Sequence, residues 1–328
     1  MAGKEQKKMS SLRILQILQK YSDSEHPLTQ ADIAEHLRRD YGIELERKAI
    51  GNTLTELAAG GIDICSKSHK GSFLNSRDFQ DAELRLLIDA VLQSSYITAA
   101  QSKTLIERLC GLSSKYFRAH VKNVYAVNEW NKTENTDVFR NIDLVDSAIA
   151  QKVQIRYDYN KYGVDAKLHK TRTHRITPYQ LILNNQRYYV MGYNGIWRSL
   201  VFHRLDHITN MKLSDVAAVP IESVKGYENG IDYKRISATM PYMYHDAPER
   251  IEFEADVAIV DQIVDWFGKE VRMTPVPDDD QRVCVSLMAS PMAMEHWATQ
   301  YVNYVVVTKP DHLRKRIKAS LEAALKKY

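Results

Sequence analysis

The segment Lys152–Asn160, KVQIRYDYN, places Val153, Ile155, Tyr157 and Tyr159 at every second position. A period of two sends alternate side chains to opposite faces of a strand, so these four share one face and the polar residues take the other. Short segments of the same kind continue to residue 213: Lys170–Pro178, Tyr179–Leu183, Arg187–Asn194 (RYYVMGYN), Arg198–His203 and His207–Leu213. The pair Asn184-Asn185 is predicted to turn a hairpin. Five or so short strands in this length suit a small barrel. A helix over about 138–150, carrying Ile142, Val145, Ala148 and Ile149, opens the unit.

The N-terminal part has the helical period instead. Leu12, Ile14, Leu15, Ile17, Leu18 and Tyr21 form one stripe. Thr29 with Asp32 three residues on reads as a variant capping box, opening a helix over about 30–39 that Tyr41-Gly42 ends. A third helix over about 46–59 turns Ala49, Ile50, Leu54 and Leu57 inward, and Gly60-Gly61 closes it. Two short strands follow, with Ile62 and Ile64, then Phe73 and Leu74, around a turn at His69-Lys70-Gly71. Three helices and a two-stranded wing are the pattern of a winged helix-turn-helix, whose third helix enters the DNA major groove.

In that arrangement Glu46, Arg47 and Lys48 stand in the first turn of the third helix, with Gly51 and Asn52 one turn on. Arg47, Lys48 and Asn52 can reach base edges or the phosphates beside them. Thr29 and Gln30 open the preceding helix, where backbone N–H groups meet phosphate. Lys67, His69 and Lys70 on the wing suit a backbone or minor-groove contact. The plainer alternative is a winged helix used for protein contact, with these charges solvated. Residues 1–80 hold 12 Lys/Arg and 11 Asp/Glu, a net of +1. That is weakly basic for a DNA reader, and a dimer would double its contacts.

Residues 81–125 read as two helices, one with Leu84, Leu86, Leu87, Ile88, Val91 and Leu92, the other over Gln101–Leu112. They are too few for an independent core and are expected to connect domains or pair with a second subunit. Asn128–Thr136 (NEWNKTENT) is polar and aperiodic, the mark of a linker. From residue 248 the order is strand, helix, strand, strand, helix, strand and a tail helix over about 311–326, a ferredoxin-like order. Trp266, Trp297, Met288, Met292 and Met294 are expected in its core, and Asp278-Asp279-Asp280 in a solvated turn.

The overall net charge of +4 conceals a local excess. Residues 152–204 carry ten Lys/Arg against Asp158 and Asp165, net +8, together with seven of the nineteen tyrosines and His169, His174 and His203. Cations interleaved with rings suit an anionic ligand with stackable bases; a solvated sheet face with half-buried tyrosines is the plain alternative. The chain is 44% apolar and 26% charged, which excludes wholesale disorder. No apolar run approaches the roughly 20 residues of a membrane span, and no signal-peptide core follows the Lys-rich start, so a cytoplasmic protein without a membrane partner is expected. Cys65, Cys110 and Cys284 lie too far apart for a disulfide framework or zinc set. HxExxH, CxxC, GxxxxGK[ST], GxGxxG and GxSxG are absent. Cofactor, metal site and catalytic residues are therefore all expected to be none, and the chain is read as no enzyme. The alternative is an enzyme processing nucleic acid or nucleotides through His203, Arg204 and Asp206.

The whole order of parts resembles the WYL-domain transcriptional regulators of bacteria, over nearly all of residues 10–328. Tyr188-Tyr189-Val190 stands where that family has Trp-Tyr-Leu. HRITPYQLIL (174–183) and VFHRLDHIT (201–209) resemble further family segments, with His207 in place of the usual Arg, and the C-terminal HWATQYVNYVVVTKPDHLRKRIKASLEAALKKY resembles the family's WCX tail. The resemblance implies a multidomain α+β chain: a winged helix-turn-helix over 1–80, a helical connector and dimerisation region over 81–137, an Sm/SH3-like WYL barrel over 138–215, a linker over 216–247 and a ferredoxin-like WCX domain over 248–328. It implies a homodimer on a double-stranded, inverted-repeat operator, with a nucleic acid or nucleotide effector at the barrel; several members control phage-defence or DNA-damage genes. Carried over by position, the ligand surface includes Tyr157, Arg172, Arg175, Tyr179, Tyr189, Arg198, His203 and Arg204. Arg172 and Arg175 lie an odd number apart, so on a regular strand only one of them faces the cleft. Arg204 and Asp206 are placed to pair with each other.

Overall fold

A computed structural model describes residues 9–68, 70–117, 132–231, 243, 246 and 248–328. The chain divides into two compact units, one running to Val138 and taking in Asn185–Arg187, the other formed by Phe139–Asn184 and Tyr188–Tyr328.

The first unit opens with α1 (Ser10–Tyr21), α2 (Gln30–Tyr41) and α3 (Arg47–Ala59), followed by the antiparallel pair β1 (Ile64–Lys67) and β2 (Gly71–Leu74). The apolar stripes converge: Ile14, Ile17 and Leu18 meet Ile33, Leu37, Ile50 and Leu54, with Leu28, Ile43 and Leu74 closing the core. The capping box at α2 forms as its spacing predicts. The Asp32 N–H donates to Thr29 Oγ1 at 3.2 Å and the Thr29 N–H to the Asp32 carboxylate at 2.8 Å. Gly42, at φ 66°, ends α2 in the left-handed region that favours glycine. His69 lies outside the described residues.

Helices α4 (Asp81–Gln93) and α5 (Ala99–Cys110) follow in the same unit. They share a small core of their own, Leu84, Ile88, Cys110 and Phe117. They are also fastened to the head. The Arg77 guanidinium donates to the Gln19 and Ser22 carbonyls at 2.7 Å each, and the Ser114 hydroxyl to the Asp23 carboxylate at 2.8 Å. A capping box of Thr98 with Gln101 starts α5 two residues earlier than its apolar period suggests. The polar stretch read as linker lies outside the described residues over 128–131, but its remainder is held. The Lys132 ammonium donates to the carbonyls of Val91, Leu92 and Ser94, serving the α4 C-terminus where carbonyls have no helical partner. Polarity in that segment marks capping chemistry.

The second unit begins with α6 (Val138–Gln151) and the strands β3 (Val153–Tyr162), β4 (Leu168–Asn184), β5 (Arg187–Asn194), β6 (Ser199–Arg204) and β7 (Ile208–Ala217), in the spatial order β6-β5-β4-β3-β7. The two segments read around Pro178 are one strand of 17 residues. The β3 partners of β4 end at Ile176, so the missing N–H of Pro178 falls beyond that ladder. The hairpin turn is centred on Asn185-Gln186, both with positive φ (45° and 57°), one residue later than predicted. At Gly192 a Cβ would lie 2.7 Å from the Thr177 carbonyl oxygen, so only glycine lets β5 pass this close to β4.

The remaining strands are β8 (Glu249–Asp256), β9 (Arg272–Val276), β10 (Asp279–Ala289) and β11 (Val305–Lys309), with α7 (Val260–Phe267), α8 (Pro291–Gln300) and α9 (Asp311–Leu325) between and after them. They form an antiparallel sheet in the order β11-β8-β10-β9. Trp297 sits fully buried among Phe253, Phe267 and Tyr301, ring centroids 5.0–5.3 Å away. Met294 is buried beside it and Trp266 packs against the cluster. Met288 and Met292 do not join them: Met288 points outward on β10, and Met292 lies in the first turn of α8. The acidic run begins a strand, with Asp278 alone at the positive-φ turn. Among the described residues no helix is long and apolar enough to cross a membrane.

Candidate functional site

Period-two alternation gives β3 and β4 two chemically distinct faces. The register pairs Ile155 with Ile176, Tyr157 with His174, and Tyr159 with Arg172. Cross-strand partners share a face, so these six residues all point the same way. Ile155, Ile176 and Tyr157 are buried and anchor this face to the core.

Above that floor the rings gather around His203 of β6. The Tyr157 hydroxyl stands 2.5 Å from His203 Nδ1. Burial pushes the Tyr157 phenol well above its ordinary value, so it stays protonated and keeps its hydroxyl hydrogen for bonding within the cluster. Tyr159 stacks on His203 at 4.5 Å, and the His174 ring lies 4.6 Å from it. Trp197, in the turn before β6, meets His174 edge-on at 5.3 Å, and the Arg172 guanidinium lies over the Trp197 ring at 5.7 Å. Trp197 is 45% exposed, so the assembly has a ring open to solvent at its rim. Burial first, and the Arg172 charge second, lower the His174 pKa and favour the neutral imidazole.

The far edge is fixed by buried polar bonds. The Arg204 guanidinium grips the fully buried Asp206 carboxylate through two bonds, 2.6 and 3.1 Å. The Arg204 backbone N–H also reaches the Tyr159 hydroxyl. His207 donates from Nδ1 to the Asn160 carbonyl at 3.0 Å, and Asn160 Nδ2 returns a bond to the His207 carbonyl at 2.8 Å. Among the described residues no group of three or more His, Cys, Asp or Glu side chains is placed to hold a metal ion.

Of the ligand residues anticipated from sequence, the structure brings Arg172, His203 and Arg204 to this cluster. Tyr157 is there too, but its ring is core and its part is to orient His203. Tyr179 and Tyr189 belong to a different apolar cluster with Met191 and Leu200, where the Tyr179 hydroxyl donates to the Val219 carbonyl at 2.8 Å and burial pushes its pKa up to about 12. Arg198 is exposed at φ 51° in the turn, and Arg175 points from the opposite face of β4. Asp206 stands where it was anticipated, paired with Arg204, whereas Tyr159, His174, Trp197 and His207 join the cluster without having been named as ligand residues. Tyr159 and His174 follow from the same alternation that singles out Tyr157 and Arg172. Trp197 and His207 lie in turns, where periodicity carries no signal.

In the head, Arg47, Lys48 and Asn52 are exposed on α3, away from Ile50 and Leu54. A Cβ at Gly51 would lie 2.7 Å from the Gln30 amide nitrogen, so glycine here lets the Gln30 side chain rest on α3. Leu28 and Ser72 exchange backbone hydrogen bonds of 2.8 Å, which seats the β1–β2 hairpin beside Thr29 at the start of α2. Thr29, Gln30, Lys48 and Asn52 thus share one region with the exposed Lys70 nearby. Lys67 differs: its ammonium donates to the Ser24 carbonyl and lies over the Phe73 ring at 5.4 Å, so the fold itself uses it.

The packed helices of the first unit and the sheet of the second, with its cation-edged ring cluster, make this a mixed α+β chain of two units. Family models identify two of its parts, a WYL domain over residues 140–213 and a WCX domain over 247–325. The chain therefore carries a WYL domain followed by a WCX domain. Among curated proteins none matches it. Among solved structures, proteasome accessory factor B/C (PafBC) of Arthrobacter aurescens is similar over 97% of this chain and 48% of its own, at 16% identity and a TM-score of 0.28. The chain therefore spans about half the length of that protein. A CRISPR Cas-related protein is similar over 99% of this chain and 85% of its own, at 12% identity and a TM-score of 0.39.

Proposed function

We propose that the chain is a ligand-responsive DNA-binding transcriptional regulator. In this reading residues 1–80 are a winged helix-turn-helix, 81–137 a connector, 138–215 a barrel that takes a nucleic acid or nucleotide, and 248–328 a ferredoxin-like domain. The observation that carries it is the cluster of Tyr159, His174, His203 and Trp197 with Arg172 at its rim. Flat rings accept bases by stacking, at about 1–3 kcal/mol per base, and a guanidinium beside them accepts phosphate. A neutral His174 suits stacking and hydrogen bonding better than a cation would. The head reads DNA through Arg47, Lys48 and Asn52, with Thr29, Gln30 and Lys70 on the flanking phosphates. A homodimer sets two such heads on an inverted repeat, half-sites about one helical turn or a multiple apart. Ligand acts by favouring one arrangement of the heads, limited by its differential affinity for the two.

Titration of single-stranded oligonucleotides and nucleotides against tryptophan emission tests this. Quenching in the parent and its loss in Trp197→Phe is the expected result; unchanged emission with every such ligand refutes the base-stacking assignment. For the head, Lys48→Ala and Asn52→Ala should abolish footprinting of an inverted repeat near the protein's own promoter, and retained footprints in both remove α3 from the interface.

A further inference from the structure

The opposite face of the same strands carries an unrelated arrangement. Arg156 of β3 pairs in register with Arg175 of β4 on one side and with Lys212 of β7 on the other. Three cations therefore stand in a row across three adjacent strands, all exposed. Neighbouring strands are about 4.8 Å apart, so the row spans about 10 Å at the backbone. Like charges placed directly opposite one another repel and weaken a sheet.

The sheet has an acid within reach of this row and does not use it there. Asp158 lies two residues from Arg156 on the same face. Its carboxylate is engaged by Lys170 at 2.8 Å, Thr173 at 2.7 Å and Asn210 at 3.1 Å, which hold its pKa down at about 2. Among the described residues no ion pair is formed by Arg156, Arg175 or Lys212. Their neighbours on this face, Gln154, Thr173 and Asp158, include no ring.

We propose that Arg175, Arg156 and Lys212 form a second polyanion site, which grips the phosphodiester backbone of a nucleic acid strand on the face opposite the ring cluster. Two guanidiniums supply forked donors for phosphate oxygens and the ammonium a point charge. The absence of rings makes this site indifferent to base identity. It stands independently of the ligand assigned to the inner face.

The test uses the full chain and a fluorescently labelled abasic oligonucleotide, which offers phosphates and no bases. Its binding is followed by anisotropy across a salt series, in the parent and in the triple variant Arg156→Gln, Arg175→Gln, Lys212→Gln. Both are repeated with Arg47→Gln and Lys48→Gln added, to remove the head's own phosphate contacts. The triple variant should lose affinity at least about tenfold at low salt, and the slope of log affinity against log salt should shrink by about 2, at about 0.7 per phosphate contact. Its thermal midpoint should equal or exceed the parent's, because a repulsive row has been neutralised. Parent-like affinity and slope would overturn the site. So would a midpoint far below the parent's, which would make the row structural. Inorganic polyphosphate serves as a second probe: if it binds the row while the abasic strand does not, the phosphodiester assignment is wrong.

Discussion

The two faces of β3 and β4 are built from neighbouring residues of the same strands, yet they solve opposite problems. On one, Tyr157, Tyr159, His174 and Arg172 are locked together by stacking, a short hydroxyl–imidazole bond and burial. On the other, Arg156 and Arg175 face each other across the strands, both exposed. The difference shows that a net +8 over 152–204 describes neither face. Arg204 is neutralised by Asp206 and Lys170 by Asp158, whereas Arg156 and Arg175 keep their charge for whatever approaches. Which cations are spent inside the fold is settled by register, one residue apart.

The sharpest way to break the inner face is to remove its buried anchor. Asp206→Ala strips the fully buried carboxylate from Arg204, whose side chain is partly exposed and can rehydrate. The expected loss is about 2–3 kcal/mol, below the usual range for a wholly buried pair, read as a lower urea midpoint for the second unit. Trp197→Ala should act on binding instead. Its exposed ring contributes little to stability, but a stacked base would lose about 1–3 kcal/mol of affinity; equal affinity in parent and variant would dissociate Trp197 from the site. Tyr157→Phe deletes the hydroxyl bonded to His203 Nδ1 and should cost about 1 kcal/mol, with a change in the His203 ring signals by NMR as the specific readout.

The smallest effect concerns pH. The folded pKa of His174 is lowered, so between its unfolded value near 6.5 and the lower folded value the unfolded chain binds more protons. Stability contributed by the neutral ring is complete above that unfolded value and falls as pH drops through the folded one. Urea midpoints measured from pH 7.5 downward should decline, and His174→Gln should flatten the decline. If the slope is unchanged in that variant, the linkage belongs elsewhere.

Much of the fold was legible beforehand because it depends on local patterns. The α2 capping box, the Gly42 stop, the alternation of β3 and the order of elements after residue 248 all arise from residues within a few positions of each other. The same holds for the pairing of Arg204 with Asp206, two residues apart on the chain. The misreadings were of polar residues whose partners lie far away in sequence. Lys132 serves α4 from about forty residues off, and Lys67 is held by Ser24. No period signals either.

What the sequence determined by itself is therefore the set of faces: which residues point together along each strand and helix, because backbone geometry fixes the periods of 2 and 3.6. What only the tertiary structure decided is which face meets which. Strand register placed Arg172 among rings and Arg175 beside Arg156, and the approach of β6 to β3 delivered His203 to Tyr157. Those pairings depend on contacts between segments tens of residues apart, made by the collapse of the whole sheet around Ile155 and Ile176, and no local pattern encodes them.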